Sequence, residues 1–137
     1  MMMIKLARSL LLIQGLMCLI YGVVVALNLN DMAEYMGLAI AHDNGRAEII
    51  TMYLGMSGVL GLFMSYSGVR GKYIYEALLI MLLTMTGITF GRCAGFIIFN
   101  TDEYILHSLL YDIPILLLTG WCFFSLFSGR QGIGEPQ

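Results

Sequence analysis

Residues 73–99 read YIYEALLIMLLTMTGITFGRCAGFIIF, residues 100–103 read NTDE, and residues 104–127 read YILHSLLYDIPILLLTGWCFFSLF. Two apolar runs flank a short polar turn. Each is long enough for the roughly 20 helical residues that cross a hydrocarbon core about 30 Å thick. Membrane strands would alternate apolar and polar residues, and neither run alternates. In lipid the backbone must satisfy its own hydrogen bonds, so the spacing predicts a transmembrane helical hairpin. One formal charge lies well inside each arm: Arg92 is ten residues before Asp102, and Asp112 is nine residues after Glu103. At 1.5 Å per residue, Arg92 falls about 10 Å below Phe99 and Asp112 about 12 Å below Tyr104, so the two reach similar depth. A lone charge in hydrocarbon is costly and marks a functional-site hypothesis until its partner is named; here each charge names the other.

Outward from the hairpin, two further apolar runs, 9–27 and 49–69, have the same length and lack of alternation. With 59% hydrophobic and 12% charged residues in 137, the chain is too apolar for an ordinary soluble domain. The predicted fold class is all-α: a polytopic membrane protein, a four-transmembrane-helix bundle. Its helices cover about 9–27, 49–69, 73–99 and 104–127, within a single domain over 1–127. The segment 128–137, with three glycines and a proline, is expected to be a mobile cytoplasmic tail. Lys5 and Arg8 ahead of an apolar run resemble a secretory signal. The run is longer than a signal core, however, and Val24-Val25-Ala26 is a poor cleavage site, so a retained first helix is expected.

Basic residues set the orientation. Lys5, Arg8, Arg70, Lys72 and Arg130 fall at one side of the four spans. The other side carries the acidic loop 28–45 and the 100–103 turn, with Arg46 its only basic residue near a helix end. Both termini are therefore expected to be cytoplasmic. In the outer loop, Asp31 and Glu34 have the spacing of a helix-starting cap. Met32, Tyr35, Met36, Leu38 and Ile40 could lie along the membrane surface, which predicts a short outer interfacial helix.

Helical spacing assigns faces. Gly87, Gly91 and Gly95 form GxxxGxxxG on the third span, a stripe that lets another helix approach closely. The second span aligns Glu48, Thr51, Gly55, Gly58, Leu62 and Ser65, and the first aligns Gln14, Gly15, Cys18, Tyr21 and Gly22. These are read as packing seams within or between bundles. On the fourth span Tyr104, Ser108, Asp112, Ile115, Thr119 and Cys122 form the most polar stripe, with His107 and Tyr111 beside it. Arg92 can also reach outward along its stem to Glu48, and a planar guanidinium can hold two carboxylates. The expected polar cluster is Arg92, Asp112 and Glu48, with Tyr104, His107, Ser108 and Thr51 supplying hydroxyls or imidazole. A buried ion pair that fixes helix register is the simplest role for it; binding of an anionic or polar headgroup or a quinone-like molecule is the sharper one.

Other chemistry finds little purchase. Cys18, Cys93 and Cys122 lack CxxC spacing and sit at different depths, as packing thiols would. His42 and His107 lie toward the outer side, and no second histidine stands at mid-depth for haem ligation. No metal site, cofactor or catalytic residue is predicted. Phosphate loop, nucleophile elbow and dinucleotide fingerprint are absent, and a net charge of −2 gives no reason to invoke nucleic acid.

Asn44-Gly45-Arg46-Ala47-Glu48, Tyr53-Leu54-Gly55, Gly91-Arg92 and Tyr111-Asp112-Ile113-Pro114 resemble small bacterial four-helix integral membrane proteins grouped as a domain of unknown function. The likeness covers most of residues 8–127. That family has an Asn-x-Arg-Ala turn into the second helix, a Gly-Arg pair late in the third and an acid in the fourth, more usually glutamate than the aspartate at 112. The resemblance implies the four-helix fold and a bacterial inner membrane, and supplies no activity. Two function classes follow. The leading one is a noncatalytic structural or accessory subunit that self-assembles or joins a larger membrane complex. The other is a binder, transporter or enzyme for a small lipophilic or anionic molecule at the Arg92 cluster.

Overall fold

The computed structural model describes residues 2–40, 42–99 and 103–131. Its elements, in order, are α1 (Met2–Leu27), α2 (Leu29–Tyr35), α3 (Asp43–Ile50), a π-helical segment (Thr51–Met56), α4 (Ser57–Arg70), α5 (Ile74–Phe99) and α6 (Glu103–Gln131). The all-α class is as predicted, and four helical stretches are long and apolar enough to cross a membrane: Met2–Leu27, Asp43–Arg70, Ile74–Ile98 and Ile105–Ser128. The turn at 100–102 lies outside the described residues, as does the tail from 132 onward; before it, α6 continues to Gln131.

The short outer helix exists, but its start differs from the predicted cap. α2 begins at Leu29 with Asn28 at the capping position and no side-chain cap, while Asp31 sits in the first turn. There the carboxylate complements the positive end of the helix without closing a capping box. At the other end Leu38 N–H donates to Ala33 O at 2.8 Å and Gly37 N–H to Glu34 O at 2.9 Å, with Gly37 at φ 71°. That pair of bonds is a Schellman stop, and the left-handed position needs glycine.

The chain forms two compact units, one of Met1–Leu10 and Tyr73–Gln137, the other of Leu11–Lys72. In the second, α1 meets α4 and the π-helical segment with almost no space between backbones. A Cβ on Gly15 would fall 2.7 Å from Gly61 O, and a Cβ on Gly61 would fall 2.7 Å from Gly15 O. Two turns further along α1, a Cβ on Gly22 would fall 2.6 Å from Tyr53 O. Tyr21 and Tyr53 pack edge to face at 5.7 Å, and Tyr53 Oη lies 3.4 Å from Met36 Sδ. Glycine is therefore a steric requirement at 15, 22 and 61, as expected for helices packed through small residues. The seam on α1 was legible in its sequence. Its partner on α4 includes Gly61, which the straight helical projection through Gly55 and Gly58 omitted.

The π-helical segment offsets Glu48 and Thr51 from the α4 residues of that projection. An i→i+5 turn holds about one more residue than an α turn, so the faces before and after it are rotated by about 100°. Thr51 Oγ1 donates to Ala47 O at 2.9 Å on one flank, and Ser57 Oγ donates to Met52 O at 3.2 Å on the other. Neither α3 nor the π segment has a buried residue, whereas α4 buries Gly58, Gly61, Met64, Ser67 and Gly68.

In the other unit, α5 and α6 run antiparallel. Tyr75 stacks on Phe123 at 4.7 Å and on Phe127 at 5.9 Å. Leu82 Cδ1 lies 3.7 Å from where a Cβ on Gly120 would stand, and Arg92 meets Asp112. These contacts fix the register from one end of the hairpin towards the other. On α5 the buried residues Ala77, Leu78, Met81, Met85 and Thr89 recur at helical spacing, and Arg92 continues that stripe one turn on. On α6 the buried residues are Asp112, Thr119, Cys122 and Phe123.

Candidate functional site

The site is built where two apolar helices each supply one charge. Arg92 Nη1 donates to Asp112 Oδ2, a charge-assisted bond across the hairpin. The two partners are unequally enclosed: the aspartate side chain is 4% exposed and the arginine 32%. The register explains the difference. Asp112 lies on the buried face of α6, whereas Arg92 stands at the edge of the buried stripe on α5, beside the glycine face. Its longer side chain therefore stays partly exposed while bonded to Asp112. Mirrored depth about the turn was sufficient to pair these residues from sequence.

Thr89 precedes Arg92 by one turn and is 8% exposed. Its Oγ1 is buried and makes no hydrogen bond among the described residues, in contrast to Thr86, which donates to Leu82 O, and Thr119, which donates to Ile115 O. Helical spacing puts Thr89 on the Arg92 face, but threonines in membrane helices mostly bond back to the preceding turn, so its lack of a partner is not legible in the sequence.

The remaining candidates are distributed as follows. Ser108 is half-buried one turn before Asp112 on α6, and His107 beside it is exposed. Tyr104 belongs to the first turn of α6, and its side chain lies outside the described residues. Glu48 and Thr51 belong to the other unit, on α3 and at the start of the π segment; both are exposed. The ion pairs among the described residues are Arg92–Asp112 and, on the surface of α3, Arg46–Asp43 at 3.5 Å. A Cβ at Gly55, Gly58, Gly87, Gly91 or Gly95 would meet nothing within 4 Å among the described residues.

A guanidinium held by one buried carboxylate is suited to holding two helices in register, and its remaining N–H donors can meet a further hydrogen-bond acceptor. Compared with protein-family models, with curated proteins and with solved structures, the chain has no match in any of the three. The findings establish four long apolar helices consistent with a small four-span membrane protein, carrying one buried Arg92–Asp112 salt bridge.

Proposed function

We propose that this is a noncatalytic membrane protein that works as an assembled unit, its copies meeting along the Gly87, Gly91, Gly95 face of α5. The supporting observation is the contrast between two sets of glycines. Gly15, Gly22 and Gly61 face backbone within their own unit, whereas a Cβ at Gly87, Gly91 or Gly95 would meet nothing within 4 Å among the described residues. A glycine in a helix interior costs about 1 kcal/mol relative to alanine, so three at successive turns with nothing packed on them call for a close partner helix. Gly55 on the π segment is likewise exposed, with nothing within 4 Å of its Cβ position among the described residues. On this reading the Arg92–Asp112 pair braces the hairpin that presents the face. Its setting is a bacterial inner membrane with both termini cytoplasmic, following the basic residues at one side of the spans and the bacterial family the motifs resemble.

The partly exposed Arg92 side chain and the Thr89 hydroxyl, unpartnered among the described residues, favour a second reading, in which the cluster of Arg92, Asp112, Glu48, Tyr104, His107, Ser108 and Thr51 binds a small lipophilic or anionic molecule.

Gly91→Leu separates an assembly face from a lipid face. Gly91 is exposed, so the substitution is expected to leave thermal unfolding in detergent within about 1 kcal/mol of wild type. The same variant is expected to convert the wild-type oligomer to monomer in native mass spectrometry. An unchanged oligomer would mean that this face is turned to lipid.

A further inference from the structure

α2 and the residue that caps its end lie between the first two candidate spans and outside both, and they carry Met32 and Met36. Every other methionine among the described residues belongs to one of the four helices long and apolar enough to cross a membrane. Met32 and Met36 stand one turn apart and are both half-buried, but their sulfurs have different surroundings. Met36 Sδ accepts a hydrogen bond from Tyr53 Oη–H at 3.4 Å. Among the described residues no hydrogen bond reaches the Met32 sulfur.

The hydroxyl that meets Met36 is placed by the rest of Tyr53. The Tyr53 carbonyl stands where Gly22 of α1 leaves room, 2.6 Å from the position of an added Cβ, and the ring packs edge to face on Tyr21 at 5.7 Å. Backbone and ring are thus both set against α1. The sulfur, by contrast, ends an unbranched side chain with three rotatable bonds, which adjusts easily. A thioether is a weak hydrogen-bond acceptor. Oxidation makes it a polar sulfoxide, and the sulfoxide oxygen is a far stronger acceptor. A fixed donor aimed at a movable sulfur therefore favours the oxidised side chain.

We propose that Met36 is an oxidation site whose sulfoxide is captured by Tyr53, fastening α2 to the π-helical segment. The oxidant is a small hydroperoxide such as hydrogen peroxide. A sulfur lone pair attacks one of its oxygens, the S–O bond forms as the O–O bond breaks, and the transferred oxygen gives its proton to the departing hydroxide, which leaves as water. Sulfur gives up an electron pair and the peroxide takes it. The product is the step of methionine oxidation that sulfoxide reductases reverse. Met36 draws back to admit the new oxygen, and Tyr53 Oη–H donates to that oxygen in place of the sulfur. α2 is seven residues long and has no side-chain cap at Asn28, so its local opening responds to a single strengthened bond. Every group involved lies within residues 11–72, and none belongs to the α5 face through which copies assemble.

The test uses the full chain in lipid nanodiscs, treated with hydrogen peroxide and mapped by peptide mass spectrometry, with amide hydrogen exchange of residues 29–38 followed before and after. Met36 is expected to gain one oxygen, and exchange across 33–38 is expected to slow about fivefold, the contribution of one hydrogen bond. Tyr53→Phe keeps the ring that packs on Tyr21 and removes the donor, so oxidation of Met36 in that variant should leave exchange unchanged. Met36→Gln supplies a carbonyl oxygen without any oxidant. It is expected to slow exchange to a similar degree beside Tyr53, and to have no such effect when combined with Tyr53→Phe. Exchange that is unchanged or faster in both the oxidised chain and Met36→Gln would overturn the proposal, as would a slowing that survives Tyr53→Phe. Oxidation of Met32 with Met36 untouched would overturn it as well.

Discussion

Replacing Arg92 by alanine is expected to destabilise the α5–α6 hairpin by about 3–5 kcal/mol, and replacing Asp112 by alanine in the same chain is expected to recover part of that loss. The single change strands a carboxylate that is 4% exposed, and an unpaired buried charge costs more than the pair contributes. Removing both side chains leaves a gap with no stranded charge in it. Denaturant titration in detergent of wild type, both single variants and the double variant closes the cycle and isolates the coupling. Losses that add without coupling would show that the two charges do not depend on each other.

The second large effect belongs to the other unit. Gly61→Leu is expected to lower stability by about 3 kcal/mol or more, because overpacking here pushes on backbone. The new Cβ alone would stand 2.7 Å from Gly15 O and 3.1 Å from Cys18 Cβ, before the rest of the leucine is placed. Gly58→Ala, three residues earlier, is the matched control. Its Cβ meets nothing within 4 Å among the described residues, so it should be neutral or stabilising by about 0.5–1 kcal/mol through helix propensity. Melting curves of the two variants that coincide with wild type would contradict the close approach of α1 and α4.

Much of this was legible before any coordinates, for identifiable reasons. Span length and backbone satisfaction in lipid dictate helices, so the four long segments followed from apolar run length alone. The Arg92–Asp112 pair followed from equal depth on either side of a short turn, since a hairpin forces antiparallel register. Gly15 and Gly22 were visible as a small-residue face, because an unbroken α-helix projects simply. Gly61 was not, since the projection on α4 went from Gly58 to Leu62, four residues on, and passed over the glycine three residues on that meets Gly15. The start of α2 at Leu29 was also missed. A capping pattern at Asp31 and Glu34 is local, whereas α1 and α2 are separated by the single non-helical residue Asn28, whose N–H donates to Val24 O at 3.0 Å and whose carbonyl accepts from Met32 N–H at 2.9 Å. The isolation of the Thr89 hydroxyl depends on side-chain placement, which spacing does not encode.

Whether Arg92 braces helices or holds a small molecule is decided most directly by Arg92→Lys. Lysine keeps the charge but loses the planar fork, so its bond to Asp112 is weaker and less constrained. The measurement is paired: thermal unfolding of purified wild type and Arg92→Lys, with mass spectrometry of the lipids and small molecules each retains after gentle detergent extraction. A structural brace predicts a lower melting temperature for the variant and identical retained molecules. Selective loss of one retained molecule, with the melting temperature unchanged, would contradict the noncatalytic reading and identify Arg92 as part of a binding site.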